Sequence, residues 1–176
     1  FTYIATHKIG CVNAPLNYRL SGGEIALLID QSKPKALIYD AEFEKIISEA
    51  LRSVHHRPEI IIMADLNNEM DAPEGVVTYR DFVKDGSPEN PVRKDKPSIY
   101  DETTRFFTSG TTNLPKAVPV NDINEVLSAH DVIMHFPLSP KDVTMNLTPW
   151  FHRGGLHSGG PCPTLYIGGT MVILRD

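Results

Sequence analysis

The segment that decides the fold spans residues 106–117 and reads Phe-Phe-Thr-Ser-Gly-Thr-Thr-Asn-Leu-Pro-Lys-Ala. A strand-like start runs into hydroxyl side chains, a glycine and a lysine that directly follows a proline. Backbone N–H groups of a tight turn bind anions, hydroxyls donate further hydrogen bonds, and lysine adds a positive charge. The pattern therefore predicts a strand and then a phosphate-binding loop; a polar loop that only caps the next helix stays open as the alternative.

This loop is not of the Walker A type. That motif has Gly directly before its Lys and Ser or Thr directly after it. In this sequence the neighbours of Lys116 are Pro115 and Ala117. Phosphate binding is therefore predicted from the chemistry of the segment and not from that motif.

The first hundred residues alternate between strand-like and helix-like patterns. Ser21 and Glu24 form a Ser-x-x-Glu capping box, which predicts a helix start. Short apolar runs at 35–39 and 59–63 predict buried strands, and apolar residues at helical spacing lie between them from residue 43 to 51. Strand, helix and strand in this order favour an α/β fold of layered, mainly parallel sheets flanked by helices.

The stretch of residues 84–102 interrupts this pattern, since prolines alternate there with charged residues. It predicts a connection between two subdomain portions of one domain, residues 1–95 and 96–176. After it we expect a strand at 103–108, a helix capped by Asn121 and Asp122, and strands at 142–147 and 170–174. His130 is predicted to lie on the apolar side of that helix, in the core.

The composition narrows the classes of protein. Lys and Arg number 17 against 22 Asp and Glu, a net charge of −5, which argues against nucleic-acid binding through a broad basic surface. The longest apolar run, Ile60–Ala64, is too short to span a membrane. No secretory signal is recognisable in the first 20 residues, and two cysteines, Cys11 and Cys162, are too few for a disulfide scaffold. These features predict a cytoplasmic protein with two free thiols.

Residues 107–118 resemble the phosphate-binding signature of the acyl-adenylate-forming superfamily, the AMP-dependent synthetases and ligases that include acyl-CoA synthetases. The family pattern is Tyr/Phe-Thr-Ser-Gly-Thr-Thr-Gly-x-Pro-Lys-Gly-Val, and ten of its twelve positions agree here. Two flanking stretches are also similar to family segments. They are residues 9–17, which end Pro-Leu-Asn, and residues 149–156, which match a Pro-Leu-Phe-His-x-Gly-Gly block.

The resemblance implies an ATP-dependent carboxylic acid–CoA ligase, which activates an acid as acyl-AMP and transfers it to coenzyme A. It implies ATP, Mg²⁺ and coenzyme A as cofactors and an aromatic, alicyclic or fatty acid as substrate. Carried over by position, His152 matches the histidine beside the acyl carboxylate. The loop on the β- and γ-phosphates is formed by Thr108, Ser109, Gly110, Thr111, Thr112 and Lys116.

Asn113 and Ala117 stand where the family has glycine. They motivate an alternative, a non-catalytic nucleotide-binding relative of the same fold. The resemblance also implies later motifs that contact adenine, ribose and Mg²⁺ and a catalytic lysine in a C-terminal domain, and these have no counterpart in this sequence. We therefore expect a fragment of the large N-terminal domain that is inactive alone, as the start at Phe1 and the end directly after a strand-like run also suggest. A sheet cut in this way exposes edges and apolar faces, which favours self-association into a homo-oligomer.

No metal site is predicted. His152, His157 and Cys162 are spaced by five and five residues, whereas a zinc site would favour closer pairs and a fourth ligand. Given the family block, His152 is interpreted as a substrate-site residue.

Overall fold

A computed structural model describes residues 2–67, 69–108 and 115–174. Over these residues the helices are α1 (Thr2–Ile9), α2 (Gly22–Ser32), α3 (Glu44–Ser53), α4 (Tyr79–Val83), α5 (Asp122–His135), α6 (Arg153–His157) and α7 (Pro161–Tyr166). The strands are β1 (Ala36–Asp40), β2 (Ile60–Ala64), β3 (Val77–Thr78), β4 (Glu102–Thr108), β5 (Lys116–Asn121), β6 (Val143–Met145) and β7 (Thr170–Val172). The described residues divide into two compact units, Tyr18–Asn90 and a second unit that joins Phe1–Asn17 to Pro91–Asp176.

The Tyr18–Asn90 unit is a small parallel sheet with helices. Its three strands lie in the order β1-β2-β3, and β1 pairs with β2 from Ala36↔Ile60 to Asp40↔Ala64. Helices α2 and α3 pack against each other, and with β1 and β2 they supply a core that is aliphatic except for Tyr39. The buried hydrophobic residues of the unit are Ile25, Ala26, Leu28, Ile29, Leu37, Tyr39, Ala41, Ile47, Ala50, Leu51, Ile61, Ile62 and Met63.

Local chemistry fixes the ends of helix α2. The Ser21 hydroxyl accepts from the Glu24 N–H, and the Ser21 N–H donates to Glu24 Oε2 at 2.8 Å, so the predicted capping box is confirmed. Lys33 closes the helix in the left-handed conformation at φ 48°, and its N–H donates to the Ile29 carbonyl at 2.8 Å.

The second unit combines an antiparallel hairpin with helices and a short parallel pair. Strands β4 and β5 form the hairpin, and Asn13 bridges to Thr104 beside it. Helices α5, α6 and α7 pack against one another, and β6 pairs with β7 in parallel. Phe106, Val120 and Leu156 form its buried apolar cluster, against which Tyr3 and Trp150 pack.

The α/β prediction with mainly parallel pairing is confirmed, with the β4–β5 hairpin as the antiparallel exception. The predicted cap is also confirmed, because the Asn121 side chain accepts from the Asn124 N–H at the start of α5. The prediction for His130 is wrong: it is exposed, and the buried face of α5 carries Glu125 and Ala129. The division at residue 95/96 stays a prediction, while in the structure residues up to Asn17 cluster with the second unit.

Candidate functional site

The hairpin brings the two ends of the predicted phosphate loop together. Thr108 and Lys116 are paired across β4 and β5, and Phe107 pairs with Ala117 one step further in. Both Thr108 and Lys116 are exposed, whereas Phe106 and Val120 are buried in the apolar cluster below them. The packed hairpin therefore places Thr108 and Lys116 opposite each other, where the described part of β4 ends and that of β5 begins.

The remaining predicted loop residues lie outside the described part of the chain. These residues are Ser109, Gly110, Thr111 and Thr112, together with Asn113. Their assignment to phosphates therefore stays a prediction. The flanking position Ala117 is described, and it lies in the regular extended strand β5. Among the described non-glycine residues only Lys33 has a positive φ, so Ala117 occupies a conformation that suits a side chain.

His152 lies at the N-cap of helix α6, with φ −105° and ψ 147°. Its carbonyl accepts from the N–H groups of Gly155 and Leu156, at 3.0 and 3.1 Å, and its own N–H donates to the Pro149 carbonyl at 3.2 Å. The imidazole is exposed and tilts against the Phe151 ring at 4.2 Å between centroids. The backbone is thus fully engaged while the side chain faces outward, available to a ligand.

Two features lock this turn. A Cβ at Gly155 would lie only 2.1 Å from the Pro149 oxygen, so the helix approaches the preceding segment more closely than a side chain allows. Asn146 holds the C-terminal half of α6, since its Nδ2 donates hydrogen bonds to the carbonyl of Gly155 within the helix and to that of Ser158 just after it, both at 3.0 Å. The sequence analysis missed Asn146, because its two acceptors are backbone atoms that no motif marks.

Helix α6 also connects His152 to the loop-bearing hairpin. Leu156, on the same helix, is 2% exposed and packs with Phe106 of β4 and Val120 of β5. Trp150 packs against this cluster as well. The predicted substrate histidine and the two described loop residues are therefore carried by elements that share one buried core.

A second polar group, which the sequence analysis did not assemble, lies at the junction of α5, α6 and α7. His157 Nε2 contacts Glu125 Oε2, the Tyr3 hydroxyl donates to the same oxygen at 2.8 Å, and Cys162 Sγ lies 3.8 Å from it. The structure thus brings His157 and Cys162 together, but with Glu125 as the third group instead of His152. Glu125 lies 32 residues from His157 in the chain, so sequence spacing could not reveal the pair.

Burial and charge shape the acid–base behaviour of this group. Burial alone would raise the pKa of Glu125, but the hydrogen bond and charge of His157 outweigh it and bring that pKa to about 2. Burial, with the nearby Glu125 carboxylate, raises the pKa of the Cys162 thiol to about 12. The pKa of Tyr3 is likewise raised well above its ordinary value, first by burial. The group therefore holds a neutral thiol and a neutral phenol beside a carboxylate.

Comparison with known proteins gives one consistent picture. The family described as "AMP-binding enzyme" matches residues 1–176. Among curated relatives, 4-hydroxybutyrate–CoA ligase 2 of Metallosphaera sedula is 31% identical over 169 residues, which cover 94% of this chain and 30% of that protein. The peroxisomal butyrate–CoA ligase AAE11 of Arabidopsis thaliana is 30% identical over 184 residues, with coverages of 94% and 30%. The chain thus spans about 30% of the length of these two relatives.

Solved structures agree on the fold. An anthranilate CoA ligase, AuaEII, in complex with anthranoyl-AMP superimposes with a TM-score of 0.85 at 19% identity, over 99% of this chain and 33% of that one. ATP-bound MatB from Rhodopseudomonas palustris gives a TM-score of 0.76 at 22% identity, with coverages of 99% and 32%. Within the described residues, no helix is both long and apolar enough to cross a membrane.

Proposed function

Because the chain belongs to the AMP-binding enzyme family, we propose that it carries the phosphate-binding loop and a substrate histidine of an ATP-dependent acid–thiol ligase. The observation that carries the proposal is the paired Thr108 and Lys116, which close the family's signature loop at the mouth of a packed hairpin. CoA ligases among the relatives support the same reaction class.

The proposed reaction has two steps. A carboxylate oxygen of the acid attacks the α-phosphorus of ATP, the bond to the β-phosphate oxygen breaks, and pyrophosphate leaves acyl-AMP behind. The sulfur of coenzyme A then attacks the acyl carbon, its proton is lost to solvent, and the bond from that carbon to the AMP oxygen breaks. The products are the thioester and AMP.

In this scheme the β- and γ-phosphates are bound by Thr108, Ser109, Gly110, Thr111, Thr112 and Lys116. Hydroxyl and backbone donors fit phosphate oxygens, and the Lys116 ammonium adds charge that stabilises the departing pyrophosphate. His152 lies beside the acyl carboxylate, where its imidazole donates a hydrogen bond and orients the attacking oxygen. Mg²⁺ enters as the ion that accompanies ATP and neutralises phosphate charge, and no residue of this chain is assigned to it.

Acid-dependent exchange of pyrophosphate into ATP by the full-length protein tests the proposal. The acid panel follows the relatives: 4-hydroxybutyrate, butyrate, a long-chain fatty acid and anthranilate. We expect exchange with at least one of them. A hydrogen bond to a charged group contributes about 1.5–3 kcal/mol, so Lys116→Ala should lower exchange by roughly 10- to 150-fold.

Lys141→Ala is the matched control, since Lys141 is also exposed and lies in the turn before β6. It should exchange at the wild-type rate. Equal rates for the two variants would remove Lys116 from its role, and no exchange with any acid would contradict the proposed function.

The alternative, a non-catalytic nucleotide-binding relative, was based on Asn113 and Ala117, and one of these two residues no longer supports it. Ala117 lies in a regular strand where glycine has no conformational advantage, so only Asn113 still supports it. Calorimetry separates the two functions: ATP binding by a full-length protein that catalyses no exchange would favour the alternative.

A further inference from the structure

The buried polar group between α5, α6 and α7 has no part in the proposed reaction. The side chains of Glu125 and His157 are 5% and 4% exposed, so both are removed from solvent. Burying charged groups is costly unless they are paired or bind a metal ion. Glu125 and His157 are paired with each other, so the open question is which positive charge lies between them.

The tautomer of His157 shows that a positive charge is required between the two side chains. Nδ1 lies 3.0 Å from the Arg153 carbonyl, which can only accept, so Nδ1 carries a proton and donates. A neutral imidazole then presents the lone pair of Nε2 to Glu125 Oε2, which also holds only lone pairs. Either a second proton or a metal ion must lie between these atoms.

This arrangement is also how proteins prepare a histidine for a metal ion. A metal-binding imidazole commonly donates its other N–H to a backbone carbonyl, which fixes the ring and the tautomer. The Arg153 carbonyl fills that position for His157. In addition, Glu125 Oε1 is buried and makes no hydrogen bond of ordinary geometry within the described residues; the buried Thr104 hydroxyl is the neighbouring donor that helps to lower the pKa of Glu125.

The thiol of Cys162, the third candidate ligand, determines which class of metal ion fits the site. The candidate ligand atoms of Glu125, His157 and Cys162 all lie within 4.8 Å of one another, and Cys162 Sγ is 3.8 Å from Glu125 Oε2. A tetrahedral zinc ion with ordinary bond lengths places its ligand atoms roughly 3.3–3.7 Å apart. The thiol is thus nearly in place, and the contact between His157 and Glu125 has to open to admit the ion.

We propose that Glu125, His157 and Cys162 form a structural site for a borderline-soft divalent cation of the zinc class, with a water molecule as fourth ligand. Sulfur, imidazole and carboxylate together suit Zn²⁺, whereas Mg²⁺ and Ca²⁺ prefer oxygen ligands alone. Binding displaces two protons to solvent, that of the Cys162 thiol and the one between His157 Nε2 and Glu125 Oε2. One thiolate and one carboxylate then balance the two positive charges, which leaves the buried site neutral.

Two neighbouring features define the role of the ion. Tyr3 donates to Glu125 Oε2 at 2.8 Å and so orients the carboxylate from helix α1. The ligands themselves lie on α5, α6 and α7, and α6 begins at His152. The ion would therefore stabilise the packing of the helix that presents the substrate histidine. This inference does not depend on the proposed ligase activity.

Metal content of the full-length, tag-free protein tests the site. After removal of metal with a chelator, the protein is titrated with Zn²⁺ by calorimetry and with Co²⁺ by absorption spectroscopy. We expect wild type to bind one equivalent more Zn²⁺ than Cys162→Ser, and Co²⁺ to produce a thiolate-to-metal charge-transfer band that Cys162→Ser lacks. Tyr3→Phe should bind with roughly 10- to 100-fold lower affinity at unchanged stoichiometry.

Cys11→Ala is the matched control, because Cys11 is the other free thiol and is exposed. It should keep both the stoichiometry and the Co²⁺ band. His157→Asn should lose one equivalent as Cys162→Ser does, which keeps the test valid if circular dichroism shows that one of the variants is unfolded. Wild type that lacks the Co²⁺ band, or binds no more Zn²⁺ than Cys162→Ser, would overturn the proposal and leave a proton between His157 and Glu125.

Discussion

Gly155→Ala places a methyl group against backbone that cannot move aside. The new Cβ would lie 2.1 Å from the Pro149 oxygen, 2.6 Å from the Pro149 carbonyl carbon and 2.8 Å from the Thr148 oxygen. Ordinary contact begins at 3.4 Å, so the turn before α6 or the helix itself must shift by about 1.3 Å. No side chain can relieve the overlap by rotation, because all three atoms belong to the backbone.

The expected cost follows from three contributions. Overpacking costs about 1–3 kcal/mol, and a clash with backbone belongs at the upper end of that range. The shift also breaks the bond from the His152 N–H to the Pro149 carbonyl, which contributes about 1 kcal/mol. The higher helix propensity of Ala offsets up to about 1 kcal/mol. We therefore expect the free energy of unfolding to fall by about 3 kcal/mol.

Urea unfolding of the full-length protein, followed by circular dichroism, measures this loss. Gly154→Ala is the matched control, because within the described residues a Cβ there would meet no atom within 4 Å outside its own helix backbone and its chain neighbours. It keeps the propensity gain without the clash, so its stability should equal or exceed that of wild type. If the two variants unfold at the same urea concentration, the close approach of α6 to Pro149 is not a feature of this protein.

Three further predictions concern other parts of the chain. Ser21→Ala should destabilise the protein by about 1 kcal/mol at neutral pH. The backbone N–H of Ser21, and then its hydroxyl, lower the pKa of Glu24, so the difference in unfolding free energy between wild type and variant should narrow as the pH falls through that pKa. Urea unfolding of both proteins over a series of acidic pH values would show this narrowing. Leu156→Ala removes a side chain that is 2% exposed and should cost about 2–5 kcal/mol in urea unfolding, and a smaller loss would mean that the cluster is loosely packed. His152→Ala should lower pyrophosphate exchange by roughly 10- to 150-fold, whereas His130→Ala, an exposed histidine, should leave it unchanged.

Local signals predicted much of the fold. The capping box at Ser21 and the cap at Asn121 lie where the residue types indicated, because their hydrogen bonds are made within one turn of the helix they start. The parallel pair β1–β2 follows from two apolar runs separated by an amphipathic helix. Strands β6 and β7 are shorter than predicted, because pairing ends at Met145 and Val172 although apolar residues follow as far as Leu147 and Leu174.

Side-chain burial on α5 could not be predicted in the same way. Helical periodicity marked its apolar residues, yet Leu127 and Met134 are 57% and 70% exposed, and Glu125 is 4% exposed. The buried face is determined by what packs on it, and a carboxylate is acceptable there because His157 lies opposite. That partner comes from another helix, and only the three-dimensional structure reveals it.

The central claim is that the acid is activated as acyl-AMP, and following a labelled carboxylate oxygen of the acid into the products tests it most directly. The full-length protein would be given ATP, coenzyme A and an acid whose carboxylate carries heavy oxygen. If the carboxylate attacks the α-phosphorus and the acyl carbon–oxygen bond then breaks, one labelled oxygen must remain in each AMP formed. Mass spectrometry that finds the label in AMP would agree with adenylate formation; unlabelled AMP, or label in the released phosphate, would contradict it.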